Sequence, residues 1–433
     1  MAEGCMKGYE INVHHITRVE GHGNVVVNVK DGKIEDLRLE IVESPRFFEA
    51  MLEGRPWQEA SSITARICGI CAMGHTCASV QAGEDALGIV PDEETVLLRK
   101  FLLHAETIQS HILHLYFLVA PDVFGVGSVI PLATSHPDVV KMALRLKKLG
   151  NEICEILVGR KIHPIGMLPG GFARWPLREE LLRSRELLLA ARPDLEATVE
   201  LFRSVRMPEF DRPTEYVALK KAGEYAFYNG DIASSTGRTS PPQSYRDRIH
   251  ERVASHSAAK HARASAESYA VGALARYNVN HANLRPWARK VADALGLKPP
   301  LTNPFHNNTA QLIETLHCYE DALAVLDDLL HRKGYVHRMK EPTRHAQGVG
   351  ATEVPRGILF HDYTIDRDGR ITAANCIIPT GQNLANIEVD MHALVGKMAG
   401  GEPAEIQHKL EMLVRAYDPC ISCATHFLEV RFV

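Results

Sequence analysis

Cysteine is scarce in this chain: nine among 433 residues, an odd number and too thinly spread for the disulfide framework of a small secreted fold. That scarcity points to reduced thiols or metal ligands and to a cytoplasmic protein. No apolar run approaches the ~20 residues that a bilayer span demands. The N-terminal stretch, with Glu3, Lys7 and Glu10, lacks the apolar core of a signal peptide. A block of one charge is missing as well. The 49 basic and 53 acidic residues balance to a net −4, so no patch in the sequence marks the chain for nucleic acid or an anionic membrane. There is no internal repeat, low-complexity tract or obvious linker, which argues against separate modules joined like beads. The sequence also has no Gly-x-Gly-x-x-Gly fingerprint, no flavin signature and no cysteine cluster suited to an iron-sulfur relay.

What is present is patterned. With 45% hydrophobic residues the chain can bury a large core. Val25, Val27 and Val29 recur at every second position. Asp31-Gly32 then reads as a turn, and Leu37, Leu39 and Ile41 alternate again, as in a half-buried hairpin. An N-terminal β element over about 9–43 follows from this. In residues 94–120, Leu97, Phe101, Ala105, Ile108, Ile112, Leu115 and Val119 recur every three or four positions, predicting a long amphipathic helix that ends near Pro121. Similar stripes predict helices over 138–158, 178–204, 246–276, 281–296 and 309–332, giving a helical core over about 57–333. Strand character returns over about 351–379, with Asp366 to Gly369 as the turn. A last helix carries Ile406, Leu410, Leu413 and Tyr417 and stops at Asp418-Pro419, opening the C-terminal segment 402–433. The expected class is α+β and predominantly helical: a long-helix bundle with peripheral β-hairpins near both ends, in one domain over 1–433.

Two C-x-x-C pairs stand near opposite ends, Cys68-Gly69-Ile70-Cys71 and Cys420-Ile421-Ser422-Cys423. Two intervening residues let both sulfurs of a pair face one ion, and two pairs make a four-thiolate site for a soft or borderline metal. Zinc ribbons bring their pairs within about 15–20 residues, because the metal staples a unit without a core of its own. Here nearly the whole chain lies between the pairs, which suggests a buried centre at a chain-spanning core. Spacing alone leaves structural zinc open.

The flanking residues add more. Arg66-Ile67-Cys68-Gly69-Ile70-Cys71 with His75, and Asp418-Pro419-Cys420-Ile421-Ser422-Cys423 with His426, resemble the two signature motifs of [NiFe] hydrogenase large subunits. The resemblance extends through Arg18-Val19-Glu20-Gly21-His22, Pro45-Arg46-Phe47-Phe48-Glu49, Ser110-His111 with His114, Gly159-Arg160 with His163-Pro164, Gly170-Gly171, and Glu353-Val354-Pro355-Arg356-Gly357. In wording and length the chain looks most like the cytoplasmic, multimeric, cofactor-coupled branch (group 3). The homologous core subunit of respiratory complex I shares the fold but lacks the four-cysteine set.

The resemblance implies a set of roles. Cys68, Cys71, Cys420 and Cys423 would bind nickel, with Cys71 and Cys423 bridging to an iron that carries CO and cyanide. Cys420 and Glu20 would move the proton, Arg356 in the Pro355-Arg356 segment would hydrogen-bond one cyanide, and Thr380 the other. Asp418 would pair with Arg356, and His75 would touch a bridging sulfur. Glu49, the main-chain carbonyl of Cys376 and the ring of His426 would hold Mg2+. Ser110 departs from the aspartate common in uptake-type relatives. Phe427 to Val433 follow His426, where members of the family commonly carry a tail removed by a maturation protease. With no flavin or iron-sulfur ligands in this chain, electrons would leave through an iron-sulfur small subunit and further iron-sulfur or flavin subunits. The acceptor would be NAD(P), deazaflavin or ferredoxin. Cys5, Cys77, Cys154 and Cys318 match no metal position and read as small apolar side chains.

Overall fold

The computed structural model describes residues 8–333 and 345–426; Cys5 and the Phe427–Val433 tail lie outside them. The expected N-terminal β element is a three-stranded antiparallel sheet, Tyr9–Val13, Gly23–Lys30 and Lys33–Ile41. Lys30 pairs with Lys33, so Asp31 and Gly32, both at positive φ, form the two-residue turn that suits a right-twisted hairpin. Val25, Val27 and Leu39 are fully buried beneath it.

The long helices fall where the apolar stripes place them: Pro137–Val158, Arg178–Arg203 and His306–Leu329. The stripe over 94–120 divides. An α-helix runs Glu93–Leu113, with the Asp92 carboxylate accepting from the Thr95 amide at 2.7 Å as its N-cap. A π-helical turn, His114–Val119, and a short helix, Ala120–Val123, then carry the chain through Pro121. Widening the turn accommodates a residue that has no N–H and would clash with the preceding turn.

The helix expected over 246–276 is not formed. Its residues make the ribbon His250–Arg252 with His261–Arg263, the strand Tyr269–Ala270 and only then a helix, Ala273–Asn280. Tyr269–Ala270 joins Glu215–Lys220, Asp231–Ser234 and Thr239–Ser240 in a four-stranded sheet within what the sequence predicts as helical core. The many alanines here mimic helical spacing, but Tyr245, Ala262 and Tyr269 are buried against Val349, Ile358 and Phe360, so tertiary packing overrides local propensity.

The C-terminal β element is a three-stranded meander, Ala346–Val354, Gly357–Ile365 and Ile371–Ile377. The helix Ala72–Leu87 lies directly on its first strand. This contact requires glycine: a Cβ on Gly350 would sit 1.9 Å from the Ala78 carbonyl oxygen. Helices Pro379–Lys397, Pro403–Ala416 and Ile421–Ala424 follow, and one continuous core contains Ile67, Cys68, Leu413 and Cys420, joining the two cysteine segments. The architecture is α+β with a predominantly helical centre. Among the described residues no helix is long and apolar enough to cross a membrane.

Candidate metal centre

The first cysteine pair occupies a sharp turn. A 3-10 turn over Ala65–Ile67 ends in extended backbone at Cys68, and Cys71 caps the Ala72–Leu87 helix. Amides of Ile70 and Cys71 donate to the Cys68 sulfur at 3.3 and 3.2 Å, the arrangement that stabilises a thiolate. The second pair follows the Pro403–Ala416 helix. Asp418 adopts positive φ there and turns the chain so that Cys420 enters the core.

Tertiary structure brings the pairs together. Cys68 Sγ lies 3.6 Å from Cys420 Sγ, and Cys68, Cys420 and Cys423 form a buried set whose sulfurs all fall within 4.8 Å of one another. Cys71 is outside that set but hydrogen-bonds to Cys68 and is equally buried. Cys420 and Cys423 are joined as a disulfide in this structure, so metal ligation requires their reduction to thiolates. The Cys68 thiol is pulled down to about 7 by the hydrogen bond from Cys71, with burial opposing and Arg356 assisting; the Cys71 thiol is pushed up in turn. A buried donor set made of four cysteine sulfurs fits a soft or borderline metal.

Arg46 ties the two motifs to each other, donating through Nη2 to the carbonyls of Ile67 and, more tightly, Ser422. Glu20 does similar work from the N-terminal segment. It forms a parallel bridge with Cys420, its carbonyl accepts from the Ile421 amide at 2.9 Å, and its half-buried carboxylate accepts from the Ser422 amide at 3.1 Å. Gly21 makes this approach possible at φ +90, since a Cβ there would lie 2.6 Å from the Ile421 Cβ.

Arg356 arrives from the opposite side. Pro355 and Arg356 are the two-residue tip of the hairpin between Ala346–Val354 and Gly357–Ile365. The guanidinium is buried. Nη2 donates to Asp418 Oδ1 at 2.8 Å, Nε to the Asp418 carbonyl at 2.7 Å, and Nη1 reaches Ser110 Oγ at 3.4 Å. Ser110 thus touches the arginine. Thr380 Oγ1 accepts from the Cys420 amide at 2.9 Å. His75 is buried nearby, but its Nδ1 faces His361 Nε2 at 3.1 Å, opening a chain through Tyr363 to Ser79.

Glu49, Cys376 and His426 gather in a second cluster. The Glu49 carboxylate accepts from the main-chain amide of Cys376 at 2.9 Å and lies 3.6 Å from His426 Nδ1, a buried nitrogen without a hydrogen-bond partner. Lys260 Nζ stands 3.5 Å from the same Glu49 oxygen and pairs with Glu251 at 2.7 Å. A carboxylate beside an unsatisfied imidazole suits a divalent cation, which would compete with the Lys260 ammonium for the Glu49 carboxylate.

Two features escaped the sequence reading. Arg276 braces the hairpin tip, donating to the carbonyls of Val354 and Pro355 at 2.8 and 2.9 Å while pairing with Glu314 and Glu353. Glu106 accepts from the amides of Met73 and Gly74 at the start of the cysteine-capped helix, and burial raises its carboxyl to about 8.

Four cysteine sulfurs from both ends of one α+β chain, buried beneath an arginine, define a thiolate-ligated metalloenzyme subunit. A family model described as nickel-dependent hydrogenase matches residues 46–142 and 201–426, and one described as HoxL-like matches residues 10–44. The chain belongs to the nickel-dependent hydrogenase large-subunit family, and it is a hydrogenase catalytic subunit. It is 37% identical to sulfhydrogenase 1 subunit alpha of Pyrococcus furiosus, over 97% of this chain and 98% of that one. It is 30% identical to NAD-reducing hydrogenase HoxS subunit beta of Cupriavidus necator, over 95% and 94%. A crystal structure of an NAD+-reducing [NiFe]-hydrogenase in the H2-reduced state superposes with TM-score 0.85 at 28% identity, covering 96% of this chain and 99% of that one.

Proposed function

We propose that this chain, as one domain over 1–433, cleaves and forms H2 heterolytically at a nickel-iron centre held by Cys68, Cys71, Cys420 and Cys423. The observation that carries this reading is the convergence of the two distant C-x-x-C pairs, with Cys68 and Cys420 sulfurs 3.6 Å apart in the core. When bound, the centre, with CO and cyanide on its iron, polarises H2 and takes up its electrons.

The protein's part is to move the proton and to fix the surroundings. Cys420 would accept a proton at its sulfur, and Glu20, bridged to Cys420 through the main chain, would be the carboxylate that takes it outward. Arg356 supplies a fixed positive charge and N–H donors for a cyanide, held in place by Asp418. Thr380, beside the Cys420 amide, would supply a hydroxyl for the other cyanide, and His75, whose main-chain amide donates to the Cys71 carbonyl at 3.1 Å, would tune the first pair. Glu49, the Cys376 carbonyl and His426 hold Mg2+ as a structural ion.

Electrons pass to an iron-sulfur small subunit, and through further iron-sulfur or flavin subunits to NAD(P), deazaflavin or ferredoxin in the cytoplasm. Maturation proteins load the centre. Elemental analysis and infrared spectroscopy of the purified complex test the core of the reading: one nickel per copy of this chain, together with CO and cyanide stretches of an iron centre, supports it. Zinc without those bands overturns it. Offering NAD, NADP, deazaflavin and ferredoxin separately and together under H2 identifies the acceptor.

A further inference from the structure

A second cluster of metal-ligand type lies outside this machinery. His256 sits in the loop between His250–Arg252 and His261–Arg263, His261 begins the second of those strands, and Glu388 projects from the Pro379–Lys397 helix. One ligand atom from each falls within 4.8 Å of the other two. His256 Nε2 is 2.7 Å from Glu388 Oε1, and His261 Nδ1 is 3.8 Å from Glu388 Oε2. The imidazole planes stand nearly perpendicular, at 87°.

We propose that His256, His261 and Glu388 form a binding site for a divalent transition metal, with Zn2+ as the fitting ion. Two imidazoles and a carboxylate are a borderline N/O donor set, and water completes the four-coordinate shell. Three observations support it. The His261 side chain is 1% exposed, and its Nδ1 faces Glu388 Oε2 across 3.8 Å, beyond hydrogen-bond reach, so no direct hydrogen bond closes the gap between these two groups. Glu388 is held in position, since its Oε1, the oxygen that faces His256, also accepts from the Leu39 amide at 3.0 Å, a main-chain anchor that orients the carboxylate. His256 is 26% exposed, which leaves the cluster reachable from solvent.

The site joins three parts of the chain that are remote in sequence. Leu39 belongs to the N-terminal sheet, whose last residue, Ile41, also receives the Ala258 amide at 2.9 Å from the His256 loop. Glu388 belongs to the helix that starts beside Thr380. An ion held by all three ligands therefore pins the 253–260 loop between the first sheet and that helix. It is a stabilising site and takes no part in H2 chemistry.

The test uses the complete purified complex, stripped of loosely held metal and then dialysed against zinc. About one equivalent of zinc should be taken up beyond the nickel and iron, and the melting temperature should rise with zinc concentration as expected for an ion bound only by the folded state. His256→Ala and Glu388→Gln should each weaken zinc binding by at least about 10–100-fold. Nickel content and H2 uptake should match the parent protein, which also shows that the variants fold. Co2+ in place of zinc should give ligand-field bands that both variants lose. No zinc uptake by the parent complex, or equal uptake by the parent and both variants, overturns the proposal.

Discussion

Arg356 and Asp418 meet at two points inside the core: Nη2 donates to the carboxylate at 2.8 Å, and Nε donates to the same residue's carbonyl at 2.7 Å. The contact locks the hairpin tip onto the turn that delivers Cys420. Removing one member of a buried ion pair costs about 3–5 kcal/mol, because the other charge stays in the low-dielectric interior. Asp418→Asn should therefore lower the denaturation midpoint of the holoenzyme and reduce H2 uptake. A midpoint equal to that of the parent would show that the pair does not hold the two segments.

Glu20→Gln separates the proton role from the structural one. The amide oxygen of glutamine can still accept from the Ser422 amide, so nickel and iron should be retained. H2/D+ exchange should fall by about 10²–10⁴-fold, the usual contribution of a positioned proton-transfer group. Exchange at the parent rate removes Glu20 from the mechanism.

The seat of the cysteine-capped helix depends on glycine. Gly350→Ala drives a Cβ to 1.9 Å from the Ala78 carbonyl oxygen, where backbone must move, and overpacking of this kind costs about 1–3 kcal/mol or more. Gly396→Ala, a helical glycine with nothing within 4 Å of the added carbon, should be neutral or stabilising by up to about 1 kcal/mol. Urea unfolding of the two variants side by side checks the contrast, and equal midpoints would refute it.

Glu353 gives a pH signature. Burial raises its carboxyl to about 7 even though Arg276 pulls the other way. A carboxyl raised in the fold above its ordinary value of about 4.3 keeps its proton when folded and loses it when unfolded, so its contribution to stability declines as pH rises between these values. Glu353→Gln cannot lose a proton. Its melting temperature relative to the parent should therefore climb from pH 5 to pH 8, and a constant difference across that range would count against a protonated Glu353.

Much of the site was readable because its chemistry depends on residue type and short spacing. Two C-x-x-C pairs, Glu20 within Arg18-Val19-Glu20-Gly21-His22, and Asp418 before Pro419 are local patterns. So are the helices Pro137–Val158 and Arg178–Arg203, whose apolar stripes repeat with the helical period. The interval 215–270 was not readable, because its short strands gain stability only from partners far along the chain. Tyr269 pairs with Glu215 and is buried against residues of the C-terminal meander, and no window of local sequence contains that information.

The sequence by itself determined the two C-x-x-C pairs and, through the residues that flank them, the family and the reaction class. Tertiary structure decided which groups meet. It set Cys68 against Cys420, placed Arg356 on Asp418, and revealed Arg276 and Glu106 as supports. The division has a physical cause: ligand chemistry resides in single side chains, whereas burial and ångström-scale contact arise only when distant segments share one core.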